Sequence, residues 1–316
     1  MADRKIIAIV GATGAQGGGL ARAILADRNG GFAARALTRK TGSEKAVELQ
    51  KAGAEVVEAD LDSVESLTKA FTGAHGVFAL TNYWEHFSAD KELEQAKNMA
   101  EAAKQAGVKH LIWSSLEDTR KFMSLDDPRM PTLHGKYKVE HFDAKGEADA
   151  EFMKRGVPTT ILITSFYWDN FIYFGAGPAK GPDGTLAITF PMGDKPLPGI
   201  AAEDIGKVAY GIFKAGDRYI GKTVGIAGEH LTGAEMAAKF TKALGQPVRY
   251  NDVPPDVYRS FPFPGAVDMG NMFQFKRDFN DAYVSARDIE HTRKLNPELL
   301  TFDQWLAKYA DKVPLG

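Results

Sequence analysis

Gly11, Gly14 and Gly17 stand three residues apart in the stretch Gly11-Ala12-Thr13-Gly14-Ala15-Gln16-Gly17-Gly18. A turn built on glycines lets backbone N–H groups approach a pyrophosphate. A helix starting in that turn adds the positive end of its dipole. The G-x-x-G-x-x-G spacing also closes ordinary βα turns, so context decides between the two. Before it run Ile6, Ile7, Ala8, Ile9 and Val10, the composition of a buried parallel strand. After it Leu20, Ala23, Ile24 and Ala26 recur at helical spacing. Strand, glycine turn and helix read as the first unit of a dinucleotide-binding fold.

In open α/β sheets ligands bind outside the carboxyl ends of the strands. The second strand ends in Thr38-Arg39-Lys40. An Asp or Glu there would take a ribose 2′-hydroxyl. Arg39 and Lys40 instead suit a 2′-phosphate, which points to NADP(H). The alternative is a solvated basic loop. Asp60 and Leu61, after the third strand, either flank the adenine or form a helix-entry turn. Thr81, Asn82, Tyr83 and Trp84, after the fourth, line the nicotinamide side or supply core or interface aromatics. Ser114 and Ser115, after the fifth, face a substrate or act as caps. Tyr137, His141 and Lys145 recur every four residues, which predicts one shared face of a helix from about 136 to 155. Lys145 on that face reaches a ribose hydroxyl or a nicotinamide; the alternative is a solvated amphipathic face.

The elements that must position these residues alternate regularly. Predicted strands cover 33–38, 55–59, 76–80, 110–113 and 159–163. Predicted helices cover 43–52, 64–70, 88–105 and 136–155, with Ser63 as a cap and Gly53 and Gly107 as stops. The content is that of a doubly wound parallel sheet, a Rossmann fold. After residue 165 the rhythm breaks. Phe166 to Phe174 is aromatic-rich, 175–199 is rich in Gly and Pro, and Pro182-Asp183-Gly184 signals a turn. A helix at 203–214, a strand near 223–226, a helix capped by Thr232 and a strand at 248–251 follow. The expected organisation is a Rossmann domain over 1–165 and a smaller, irregular C-terminal α/β lobe over 166–316. Part of that lobe returns to the sheet.

The composition narrows the function. The chain has 316 residues, 44% apolar and 25% charged, an ordinary globular balance. A net charge of −2 offers no electrostatic attraction for nucleic acid. The absence of cysteine excludes disulfides, thiolate catalysis and cysteine-ligated zinc. No metal site is expected. No apolar run approaches the ~20 residues of a membrane span, and Met1-Ala2-Asp3-Arg4-Lys5 leads straight into the first strand. The expectation is a cytoplasmic protein with nuclear access open and no membrane contact.

These residues together resemble the short-chain dehydrogenase/reductase superfamily and, more narrowly, the NmrA-like family, especially its NADP(H)-sensing branch. The resemblance rests on Gly11 to Gly18, Thr81-Asn82-Tyr83-Trp84-Glu85 and His141-Phe142-Asp143-Ala144-Lys145-Gly146-Glu147. Pro264-Gly265-Ala266, Asn271-Met272-Phe273, Leu295-Asn296-Pro297 and Thr301-Phe302-Asp303-Gln304-Trp305-Leu306 extend it over nearly the whole chain. It implies pyrophosphate contacts at Gly11, Ala12, Thr13, Gly14, Ala15 and Gln16. It implies a 2′-phosphate contact at Arg39, with Lys40 beside it. Thr81, Asn82, Tyr83 and Lys145 would meet the nicotinamide half. Tyr167, Trp168, Asp169 and Asn170 would border the pocket. Thr164-Ser165 stand where the family commonly has Arg and Pro.

The catalytic superfamily places a tyrosine general acid in the slot that His141 fills here, and Tyr137 comes one turn too early. The cofactor apparatus is thus kept while the usual proton donor is replaced. Two readings follow. One is a non-catalytic, redox-sensing regulator acting through self-association as a homodimer or through a regulatory protein partner. Its mobile candidates are the 39–45 loop and 175–199. The other is an NADPH-dependent reductase of small aromatic, carbonyl, quinone or enone ligands, with Lys145, His141 and Tyr137 as candidates. The isoflavone-reductase-like branch also lacks the tyrosine and relies on the lysine. A purely structural module leaves the cofactor motifs unexplained.

Overall fold

The computed structural model describes residues 4–181 and 183–316. Residues 1–3 and Pro182, the first residue of the expected 182–184 turn, lie outside the described residues. The chain opens with β1 (Lys5–Ile9), α1 (Ala15–Ala26), β2 (Phe32–Thr38), α2 (Glu44–Lys51), β3 (Glu55–Glu58), α3 (Val64–Phe71) and β4 (Gly76–Ala79). Next come α4 (Ala89–Gln105), β5 (His110–Ser115), α5 (Glu140–Lys154) and β6 (Thr159–Ile163). The later part holds β7 (Phe166–Tyr167), α6 (Asn170–Tyr173), β8 (Ala179–Lys180), β9 (Leu186–Phe190), β10 (Leu197–Ile200), α7 (Ala202–Lys214), β11 (Thr223–Gly225) and β12 (Glu229–Leu231). It closes with α8 (Gly233–Leu244), β13 (Val248–Asp252), α9 (Pro255–Arg259), α10 (Ala266–Asp278), α11 (Asn280–Ser285), α12 (Ile289–Leu295) and α13 (Phe302–Tyr309).

Seven strands form one sheet in the order β11-β6-β5-β4-β1-β2-β3, and the neighbouring pairs from β3 to β6 are parallel. This is the doubly wound Rossmann order, whose direction of winding reverses between β1 and β4. The apolar runs read from the sequence are buried here: Ile7, Ala8 and Ile9 of β1, Val77 and Phe78 of β4, and Leu111 to Trp113 of β5.

By compactness the chain divides into two units. The first contains the chain to Asp118, Ala144–Thr164 and Ala202–Val224; the second contains Thr119–Asp143, Ser165–Ala201 and Gly225–Gly316. The return of one helix and one strand to the sheet is made by α7 and β11. The excursion at 119–143 has no counterpart in the single boundary read near 165. Polar anchors explain its place in the second unit. Asn271 Nδ2 donates to the Pro131 and Lys138 carbonyls at 2.9 and 2.6 Å, and Gln274 Nε2 to the Arg129 carbonyl at 2.8 Å. Buried Asp143 accepts from the N–H groups of Thr119, Lys138 and Val139 and from the Thr119 hydroxyl.

The Gly/Pro-rich run 175–199 contains β8, β9 and β10 rather than loop alone. Leu186, Ile188 and Phe190 are buried at a period of two, the signature of a half-buried strand. Aromatic packing dominates the core of this unit. Phe302 and Trp305 stack at 5.7 Å, and Trp168 packs 5.2 Å from Phe302.

Candidate functional site

The glycine turn follows β1 at the point where the sheet reverses its winding. Gly11 lies in the left-handed region at φ 64°, which favours glycine. The Gly14 N–H closes the turn onto the Gly11 carbonyl at 2.9 Å, and Gly14 caps α1. A Cβ on Gly17 would sit 2.5 Å from the Gly11 carbonyl oxygen, so the helix can approach the turn only with glycine there. The first turn of α1 carries no acidic residue, which leaves its positive end to an anion. Ala12 is buried, Thr13 and Gln16 are half-buried, and Ala15 is exposed. Gln16 Oε1 accepts from the Ser114 hydroxyl at 2.8 Å. Ser115 donates to Asp149 on α5 at 2.5 Å, beside the Trp113 indole N–H at 3.0 Å. Both serines lie within β5 and tie elements together.

At the end of β2, Arg39 is exposed, and its guanidinium donates to Glu85 Oε1 at 3.0 Å. Asn82 Nδ2 reaches the same oxygen at 3.3 Å. Lys40 is exposed, and its N–H is held by the Thr38 hydroxyl at 3.2 Å. Asp60 Oδ1 accepts the Asp62 N–H at 2.9 Å, a bond of the turn that leads into α3. The Leu61 side chain packs against the sheet core. Tyr83 is buried, with its ring edge-on to Trp84, His86 and Phe87.

A buried polar cluster of the first unit surrounds Lys145. Its ammonium donates to the Thr81 hydroxyl at 2.7 Å and the Thr81 carbonyl at 3.1 Å, and pairs with Glu92 Oε2 at 3.1 Å. The Thr81 hydroxyl in turn donates to Glu92 at 2.5 Å. The ammonium also lies 5.2 Å from the centre of the Trp113 ring. Glu92, 1% exposed, was missed by sequence reasoning. A signal existed: it occupies the face of α4 that Ala96, Ala100 and Ala103 bury, where an acid is out of pattern.

The second unit holds the other candidates. Tyr137 is not on the helix, which corrects the shared face expected for Tyr137, His141 and Lys145. His134 and Gly135 are both left-handed, at φ 48° and 66°, and Leu133 pairs with Tyr137 across a tight turn before α5 begins at Glu140. The Tyr137 ring is buried, with the Arg120 guanidinium 5.5 Å from its centre. His141 is 5% exposed, and its Nδ1 pairs with the buried Asp268 carboxylate. The other Asp268 oxygen accepts the Glu140 N–H at 2.6 Å. Of the segment expected to border a pocket, Trp168 is a core side chain at 1% exposure. Tyr167, Asp169 and Asn170 are half-buried. Phe166 and Phe171 are core as well, while Tyr173 and Phe174 are exposed. Among the described residues, no three His, Cys, Asp or Glu are grouped to hold a metal ion, and no helix is long and apolar enough to cross a membrane.

A glycine turn at the switch point of a sheet in this order places the molecule among the Rossmann-fold proteins. Within that class the chain belongs to the NmrA-like family, whose profile matches residues 3–306. It is 31% identical to an NmrA-like family domain-containing oxidoreductase, FrzB, of Cladobotryum, over 90% of this chain and 88% of that one. It is similar to the crystal structure of NmrA, a negative transcriptional regulator, in complex with NADP. The TM-score is 0.76 at 25% identity, covering 96% and 94% of the two chains. The fold also matches an NADPH-dependent quinone oxidoreductase of Escherichia coli, with a TM-score of 0.72 at 20% identity over 96% and 99%.

Proposed function

We propose that this chain is an NADP(H)-binding regulator that senses the cofactor's redox state without reducing a substrate. The observation that carries the reading is the state of His141. It fills the slot where catalytic relatives of the superfamily place tyrosine, and it is buried against Asp268. A proton donor held in this way is not presented to a substrate.

The residues of the chain suit the cofactor. The turn from Gly11 to Gln16 would hold the pyrophosphate, with an acid-free helix terminus behind it. Arg39, beside Lys40, would hold the 2′-phosphate by exchanging its exposed Glu85 partner for a dianion. Thr81, Asn82, Tyr83 and Lys145 would orient the nicotinamide half. When bound, the nicotinamide ring gives or takes a hydride. The NADP complex of NmrA supports this assignment. The output would be a cofactor-dependent change in self-association or in a protein partner, set by differential affinity for two states.

The test combines turnover with exchange. Purified protein with NADPH and carbonyl, quinone or enone compounds should show only trace oxidation. Hydrogen exchange over 166–199 should slow with NADPH and slow less with NADP. Exchange that slows only at the glycine turn and Arg39, with no change of mass by scattering, removes the sensing mechanism.

The second reading, an NADPH-dependent reductase, is favoured by the oxidoreductase description of the FrzB relative. Robust NADPH oxidation that disappears in Lys145→Ala would establish it in place of the first.

A further inference from the structure

We propose that Glu92 is the positioning residue of Lys145 and sets how this chain holds the nicotinamide half of the cofactor; the inference rests on the cofactor reading above.

Glu92 is anchored in the first turn of α4, where the Ser88 side chain caps the helix and the Glu92 N–H bonds the Ser88 carbonyl at 3.1 Å. The helix dipole there favours a carboxylate. Oε2 receives both the Thr81 hydroxyl at 2.5 Å and the Lys145 ammonium at 3.1 Å. Among the described residues, Oε1 is buried with no hydrogen-bond partner. A buried carboxylate with one oxygen unsatisfied is a poor way to stabilise a fold, since apolar replacements of buried ion pairs are often neutral or stabilising. What the arrangement does achieve is directional. Thr81 and Glu92 together supply three contacts to the ammonium and fix where it stands, so a ligand would bond it by sharing or replacing one of them. The charge of Lys145 is compensated in place. The lysine therefore acts as an oriented hydrogen-bond donor rather than as an uncompensated cation that would depress the pKa of a neighbouring acid.

The experiment compares two probes by calorimetry, NADPH and adenosine 2′,5′-bisphosphate, which lacks the nicotinamide half. Glu92→Gln removes the charge and keeps the shape. It should weaken NADPH by roughly tenfold, the scale of one charge-assisted hydrogen bond, and leave the bisphosphate unchanged. In a Lys145→Met background the same change should produce no further loss, because the effect passes through the lysine. A general loosening of the fold would weaken both probes and would add in the double variant. If Glu92→Gln does not fold, Thr81→Val, which removes the hydroxyl linking acid and amine, carries the same expectation. An unchanged NADPH-to-bisphosphate ratio, or a loss that persists without Lys145, overturns the role of Glu92 alone. A wild-type chain that binds neither probe overturns the cofactor reading and this inference together.

Discussion

His141 and Lys145 belong to the same helix, yet the two units treat them in opposite ways. In the second unit Asp268 takes both the His141 ring and the Glu140 N–H, so one buried aspartate fixes a side chain and the start of α5. In the first unit the Lys145 side chain keeps 13% of its exposure and is oriented by Thr81 and Glu92 at the ends of β4 and α4. Arg39 is more open still, with 68% of its side chain exposed in its pair with Glu85. The second unit buries the His141 ring. The first leaves the Arg39 and Lys145 side chains partly exposed.

The largest effect should come from opening the sealed side. Asp268→Ala leaves His141 and the Glu140 N–H without their partner inside the second unit. Loss of one member of a buried pair costs about 3–5 kcal/mol. Urea unfolding at neutral pH should register that loss. A change under ~1 kcal/mol would mean that His141 is not structurally committed and would revive it as an acid.

Next is a buried histidine of the first unit with a hydroxyl rather than a carboxylate as its neighbour. His110 bonds the Thr160 hydroxyl at 2.8 Å, and burial pushes its imidazole down to about 4, with the Asp217 charge pulling the other way and His75 adding to the lowering. The folded value lies below the unfolded ~6.5. Stability is therefore complete above pH ~6.5 and is lost as pH falls toward 4, by about 3 kcal/mol in total. His110→Asn should flatten that part of the pH–stability curve. A slope that persists in the variant would assign the acid sensitivity to another group.

On the open side, Arg39→Ala should weaken NADPH by about ten- to a hundredfold and NADH little, the scale of a hydrogen bond to a charged group. Equal losses for both cofactors would remove Arg39 from the 2′-phosphate site. The smallest effect belongs to Glu85→Gln, which frees Arg39 from an exposed pair worth under ~1 kcal/mol. NADPH should bind a few-fold tighter. Weaker binding would show that Glu85 presents Arg39 instead of competing for it.

The order of strands and helices to residue 165, the glycine turn, and the cations ending β2 were legible in the sequence because each is local. Alternation of buried runs, helical spacing and the choice of glycine at Gly17 follow from the chain's own backbone geometry. Membership of the NmrA-like family was legible for the same reason, since its motifs are short and contiguous. What surrounds the candidate site was not. Asp268 reaches His141 across 127 residues, and the out-of-pattern place of Glu92 on α4 does not say which cation it meets. Tyr137 left the helix because His134 and Gly135 turn left-handed, a conformation that a four-residue period cannot reveal. A carboxylate's role depends on which cation and how little water it meets. Those are properties of packing between distant segments, and only the tertiary structure decides them.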